Sequence, residues 1–470
     1  MATGTKNLLL LDAGDLLFRE DYRGDSKNPS YEVQGKIFIE SYNVMGWHAL
    51  GIGETEFALG LDYLKSLEKL ADFPFLSANI IDAGTKDLIF KPYTVESLSG
   101  IKIGITSVIG ENINFSAEKQ EKLGIAIENP ASALKGTVRT LKRKSDFVIV
   151  LAHTGLEDAQ KLADEIEGID LIIVGHDPMR DLSKPILVGD TLITQIYSRG
   201  KYVCRLDFDI KNPERPLDFH IAGPGGVKSI EYETYRTKLK QLLVMSEELK
   251  KQKERGGDVD YQLDLIMAEI EDIKEKMADL EAAAKDENIN TITPTLVPMG
   301  DTLADDPEIT TLKDKRREDL IELNNDLKEE ILGGGERSAT DLDIEPHYVG
   351  VESCKKCHAP VYDFWLTTGH AKAYETLREK KRQFEPDCYV CHTTGFNKPG
   401  GFTNILTAKD LLGVQCETCH GPGSLHISKS VATENLIREK NCVSCHDEEN
   451  DDNFQYQGDL KKITCPKKKS

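Results

Sequence analysis

Over roughly the first 225 residues, short apolar runs alternate with stretches whose apolar positions recur at helical spacing. Strand-like runs occupy Asn7–Leu11, Phe73–Ala78, Lys102–Val108, Asp146–Ala152, Asp170–Val174 and Thr191–Ile196. Between them, Ala131–Arg143 and Leu156–Glu167 read as amphipathic helices. This alternation predicts an α/β sandwich whose strand ends carry loops with polar residues.

The pattern then changes. Tyr232, Tyr235, Leu239, Leu242 and Leu249 form one heptad-like stripe, and Leu263, Ile266, Ile270, Ile273, Met277 and Leu280 form a second. Gly256-Gly257 separates them, which predicts an antiparallel helical hairpin with a coiled-coil seam, serving as a spacer or a self-association arm. Residues 290–300 read as one more strand, Asp305–Leu332 as a charged helix and Gly333-Gly334-Gly335 as a linker. The expected partition is an α/β domain over 1–227, a hairpin over 228–288, the strand, helix and linker over 289–338, and a mostly α domain over 339–470.

That last domain carries the most specific chemistry. Four Cys-x-x-Cys-His pentads occur: Cys354, Cys357 and His358; Cys388, Cys391 and His392; Cys416, Cys419 and His420; Cys442, Cys445 and His446. The pattern suits covalent haem attachment, with two thiols bridging to the porphyrin vinyl groups and the adjacent imidazole as proximal iron ligand. A His after the second Cys in every copy is not a zinc-ribbon requirement. Four covalently attached haem c groups are therefore expected, and they must supply much of the domain's apolar core.

Each low-spin haem needs a second axial ligand, usually His or Met. No Met follows Met299, and the nearby histidines outside the pentads are His347, His370 and His426. At most three haems can be bis-histidine from this supply, leaving one five-coordinate or bound by another group. Eight of the ten cysteines belong to the pentads. Of the others, Cys204 falls in a strand-like run and Cys465 beside a lysine-rich tail, so disulfides do not organise the chain.

The formal net charge of −21 argues against nucleic acid and anionic membranes as partners. It favours a basic redox protein partner or a divalent cation. No stretch has the length and apolarity of a transmembrane segment. Pentads of this type acquire haem outside the cytoplasm, which places the protein in the periplasm or on the extracellular face. Met1–Glu20 holds no export signal, the run Leu8–Leu11 being too short. The sequence is therefore expected to begin inside a longer parent.

The segments "YVGVESCKKCHAPVYDFWLTTGHAKAYETL", "DCYVCHTTGFNKPGGF", "LLGVQCETCHGPGSLH" and "NCVSCH" resemble the tetrahaem cytochrome c-554 family over about residues 345–456. The resemblance implies closely stacked haems that pass electrons, His370 and His426 as distal ligands, and one five-coordinate haem. "LLLLDAGD", "NVMGWHALGIGETEFALG", "FPFLSANI", "IKIGITSVIG", "VIVLAHTG", "IDLIIVGHDP" and "SRGKYVCRLDF" resemble the calcineurin-like metallophosphatases, especially their periplasmic 5'-nucleotidase branch.

That second resemblance implies a site in which two metals activate water and clamp phosphoryl oxygens. Here its motifs are incomplete. The first, D-x-H, is absent; the Asn and His of G-N-H-E are Glu54 and Thr55; and the final His of G-H-x-H is Pro178. Asp15, Glu54, His153 and His176 remain, matching one of the two metal positions and able to hold one Zn, Mn or Fe ion. The hairpin and cytochrome follow where true 5'-nucleotidases carry a base-gripping domain. The expected function is extracytoplasmic electron transfer, with the phosphatase-like domain as scaffold or docking module. The alternatives are residual phosphoesterase activity and reduction of a small molecule at a five-coordinate haem.

Overall fold

The computed structural model describes residues 7–466 apart from 19–29, 114, 177–181, 197–199, 201, 212–218, 224–225, 255–258, 284–289, 301–302, 334–345, 397, 399, 404, 406–407, 433–437, 448–449 and 452. It divides into two compact units, one of residues 1–19 and 45–305, the other of 20–44 and 306–470.

In the first unit, β1 (Leu11–Asp12), β2 (Ala49–Gly51) and β3 (Phe75–Leu76) form a small parallel sheet in that order. Helix α1 (Ser30–Met45) lies between β1 and β2 in the chain, yet residues 20–44 belong to the second unit. Next come α2 (Leu61–Leu70) and β4 (Ile80–Asp82), which pairs with β7 (Ile125–Ile127) beyond α3 (Ala117–Leu123). The main sheet contains β5 (Tyr93–Leu98), β6 (Ile101–Ile109), β8 (Phe147–His153), β9 (Leu171–Val174), β10 (Leu182–Val188) and β11 (Thr191–Gln195). Its order is β10-β11-β9-β8-β6-β5, parallel through the middle and antiparallel at both edges.

Strand β8 is buried at every position, as a parallel strand covered on both faces must be. Val148, Val150 and Ala152 meet helices α4 (Pro130–Leu141) and α5 (Leu156–Glu165) through Leu134, Val138, Leu141, Leu156 and Leu162. The alternate residues, Phe147, Ile149 and Leu151, meet Ala13, Ala49 and Leu76 on the other side, together with Phe219 and Ile292. The period of two thus sends one strand's side chains into two apolar layers. Asn129 caps α4 by accepting the Ser132 N–H at 2.9 Å, and Pro130 occupies a first-turn position where its missing donor costs nothing.

A four-stranded sheet completes this unit: β12 (Tyr202–Asp209), β13 (Phe219–Gly223), β14 (Gly226–Ser229) and β15 (Asn290–Pro298), ordered β12-β15-β13-β14. The chain leaves β14 through α6 (Ile230–Glu254) and α7 (Asp260–Ala283), then returns as β15 between β12 and β13. The two helices pack together around buried Leu242, Ile270 and Ile273, flanked by Tyr235, Leu239, Ile266 and Met277. Gly256-Gly257 lies outside the described residues.

The second unit gathers α1, α8 (Pro307–Gly333) and the pentad-bearing helices. Lys315 Nζ of α8 lies 3.8 Å from Glu40 of α1, and Arg316 lies 3.8 Å from Glu385. Tyr374, Leu377, Tyr389, Phe402 and Leu411 form an apolar cluster, with Tyr389 edge-on to Phe402 at 5.1 Å. By this division β15 joins the first unit, while α1 and α8 join the second. Long-range pairing decides this, and local pattern does not encode it. Gly334 and Gly335 of the expected linker fall outside the described residues. No helix among the described residues is long and apolar enough to cross a membrane.

Candidate functional site

The chain brings four ligand-type residues together at the carboxyl ends of parallel strands, where loops are free to carry chemistry. His153 ends β8, His176 follows β9, Asp15 follows β1 and Glu54 follows β2. Each offers one ligand atom, and these atoms all lie within 4.8 Å of one another. His153 Nε2 is 2.8 Å from Glu54 Oε2 and 3.4 Å from Asp15 Oδ2. His176 Nδ1 is 3.2 Å from His153 Nε2 and 3.5 Å from Glu54 Oε1.

The tautomer of His153 follows from its surroundings. Its Nδ1 meets the Ala13 carbonyl at 2.9 Å, and a carbonyl only accepts, so Nδ1 carries the proton and Nε2 faces the cluster. Burial opposes charge on this imidazole, but Asp15 and Glu54 outweigh it and raise its pKa well above the ordinary value. Burial also opposes charge on Asp15, yet hydrogen bonds with His153 and His176 hold its carboxyl far below the usual range. His176 is raised mainly by its bond to Asp15. Without metal, protons fill the gap among these groups. Two imidazoles and two carboxylates are a donor set that fits one divalent ion.

The backbone is shaped to permit this convergence. Asp15 adopts a left-handed conformation with φ 62°, and Gly14 precedes it with φ 102°. A Cβ on Gly53 would stand 2.5 Å from Asp15 Oδ1 and 2.7 Å from His153 Cε1, so only glycine lets the two loops approach.

Glu56 is a residue the sequence reading passed over. It is fully buried and accepts backbone N–H groups from Gly53 (2.8 Å), Asp15 (3.0 Å), Leu16 (2.8 Å) and Leu17 (3.2 Å). It therefore ties the β1 loop to the β2 loop. Burial, and then the charge of Asp15, push its carboxyl up to about 7. The available signal was its place two residues after Glu54, at the E of G-N-H-E. Thr55, the residue standing where the resemblance expects a catalytic His, donates its hydroxyl to Asp15 Oδ1 at 2.9 Å. Pro178 lies outside the described residues.

In the second unit, three of the pentads lie in single helical turns: α9 (Val351–Trp365), α11 (Pro386–His392) and α12 (Cys416–His420). A helix places residues i, i+3 and i+4 on one side, so in α11 and α12 both thiols and the imidazole face the same way. The fourth begins at the end of α14 (Glu439–Cys442), and His446 N–H closes the turn onto the Cys442 carbonyl at 2.9 Å. In α9 the helix is interrupted at His358 (φ −124°), just before Pro360, which removes a donor from the ladder.

Two imidazole pairs stand opposite one another. The ring centres of His358 and His426 are 6.2 Å apart, and those of His370 and His446 are 6.0 Å apart. Three of these domain imidazoles are pinned through Nδ1: His392 by the Ala373 carbonyl, His426 by the Val431 carbonyl and His446 by Asp451 Oδ2. Pinning Nδ1 leaves Nε2 as the nitrogen able to meet a metal. His347 is anchored through its backbone, its N–H donating to Ser424 Oγ at 2.9 Å. Glu417, inside the third pentad, is buried and accepts from Val349, Gly350 and Gly423, which fixes the entry to α9 beside that pentad.

Residues 353–421 match the family described as cytochrome c554 and c-prime. The protein UshA of Yersinia enterocolitica is 29% identical over 248 residues, covering 46% of this chain and 44% of that protein. A Vibrio cholerae 5'-nucleotidase is 26% identical over 290 residues, or 54% and 51% of the two chains. The chain joins a 5'-nucleotidase-like region to a cytochrome c554 region.

The solved 5'-nucleotidase precursor of Thermus thermophilus shares 25% identity over 43% of this chain and 42% of that one, with a TM-score of 0.35. The chain spans about half the length of the curated relatives it matches. The 5'-nucleotidase-like region is α/β and contains the Asp15, Glu54, His153 and His176 cluster. The cytochrome c554 match takes in the first three pentads and His370; His426 and the fourth pentad lie beyond it.

Proposed function

We propose that the protein is an extracytoplasmic electron carrier with four covalently attached haem c groups, and that its 5'-nucleotidase-like region serves as a scaffold or docking module. The observation that carries this reading is the set of four complete pentads in one short region. Each pentad would hold one haem through its thiols and its His, and haem iron supplies one-electron chemistry when bound. The facing rings support His426 as the partner of His358, and His370 as the partner of His446. His347 is the remaining candidate ligand. A haem left with one imidazole would offer an open position to a small molecule. The partners are redox proteins, and the charge of −21 favours basic ones. A pyridine haemochrome count of four per chain, with a reversible reduced-minus-oxidised spectrum, is the expected result. A count well below four would overturn the reading.

A second reading rests on the converging donors of Asp15, Glu54, His153 and His176: one bound divalent ion that supports phosphoester hydrolysis. A metal in this position supplies Lewis acidity and an activated water. Hydrolysis that survives both Asp15→Ala and His176→Ala would exclude this site as its source.

A further inference from the structure

Among the described residues, His446 alone of the four pentad imidazoles meets a carboxylate. Its Nδ1 is 2.8 Å from Asp451 Oδ2, whereas His392 donates to the neutral carbonyl of Ala373. The Asp451 contact is fixed by local chain geometry. Asp451 N–H donates to the Asp447 carbonyl at 2.8 Å, and Phe454 N–H donates to the Asp451 carbonyl at 3.1 Å. The Phe454 ring then covers one face of the imidazole, with centres 4.8 Å apart and planes 16° apart. The ring of His370 stands opposite at 6.0 Å.

A carboxylate accepting the Nδ1 proton pulls it away from the ring and gives the imidazole partial imidazolate character. The ring becomes a stronger donor at Nε2, and it carries fixed negative charge behind it. Both effects favour the ferric over the ferrous state. We propose that Asp451 sets the reduction potential of the haem held by Cys442, Cys445 and His446, keeping it below the value the same ligands would give with a neutral partner. This rests on the four-haem reading above.

The test is a spectroelectrochemical titration of the haem-loaded full chain and three variants. Asp451→Asn keeps an acceptor oxygen for Nδ1 and removes the charge. One of the four couples should rise by at least tenfold in its equilibrium constant, about 59 mV for a one-electron couple, while the other three stay within twofold. Asp451→Glu, which retains the charge, should stay near the wild-type value. Asp459→Asn is the control: Asp459 also feels the charge of His446, but Lys462 Nζ already pairs with it at 2.6 Å, so its removal should leave all couples within twofold. Four bound haems with no shift in Asp451→Asn would overturn the proposal. An equal shift in all four couples would overturn it too, as would a shift shared by Asp451→Glu. A wild-type haem count below four would instead overturn the reading on which it rests.

Discussion

His176 Nδ1 lies 3.2 Å from His153 Nε2, and carboxylate oxygens of Glu54 and Asp15 border the same gap. Two imidazole nitrogens at that distance can share only one proton, so a cation is the natural occupant. Replacing His176 with Ala should lower zinc or manganese affinity by at least tenfold. Metal content after dialysis, and titration calorimetry on the same variant, would show this. Unchanged affinity would remove the cluster as a metal site.

The pH dependence of that affinity has a defined sign. His153 is raised above its ordinary 6.5, so the metal-free folded protein keeps a proton there that the unfolded chain has released. Its contribution is fully present below pH 6.5 and lost as pH climbs through the raised value. Glu56, raised from 4.5 to about 7, acts in the same direction between those values. Asp15 is depressed, so its contribution is present above pH 3.8 and lost on acidification below it. In chelator, the stability of this unit should therefore decline as pH rises from about 5 to 8. A divalent ion replaces the protons, so its affinity should rise over the same interval and its binding should release protons. Calorimetry in two buffers of different ionisation enthalpy counts them. An affinity that is flat with pH contradicts the assignment.

Glu56→Gln keeps the shape of the side chain but puts an NH2 where a carboxylate oxygen accepts backbone N–H groups. At least one buried donor then faces another donor, at a cost of about 1–3 kcal/mol. The unfolding midpoint of the 5'-nucleotidase-like unit in urea should fall accordingly. Metal affinity should fall with it, because the loop that presents Asp15 loses its tie.

Gly53→Ala tests the close approach of the two loops. The added methyl would press on Asp15 Oδ1 and the His153 ring. Overpacking of this kind costs about 1–3 kcal/mol. The expected result is weaker metal binding with the main sheet intact by circular dichroism.

Under the proposed four-haem reading, the paired rings of the cytochrome c554 region predict which haem His426 and His370 would each serve. His426→Ala should turn the haem of Cys354 and Cys357 high-spin, and His370→Ala that of Cys442 and Cys445. Electron paramagnetic resonance of the ferric protein would register one new high-spin centre per variant, with the haem count unchanged. A double variant with fewer than two such centres would break the pairing.

Local spacing along the chain encodes much of its chemistry. Each of the four pentads spaces two thiols and an imidazole closely along the chain, and a continuous apolar run such as Phe147–Ala152 requires a strand covered on both faces. Even the four residues of the candidate cluster could be named, because they sit in motifs that resemble those of a known family. What joins distant segments came from the fold. It set β15 between β12 and β13, drew α1 and α8 into the second unit, and buried Glu56 under two loops. It also brought the ring of His426 to that of His358. Those relations depend on which backbone donors need acceptors and which apolar faces need cover once the chain is compact. No window of neighbouring residues contains that information.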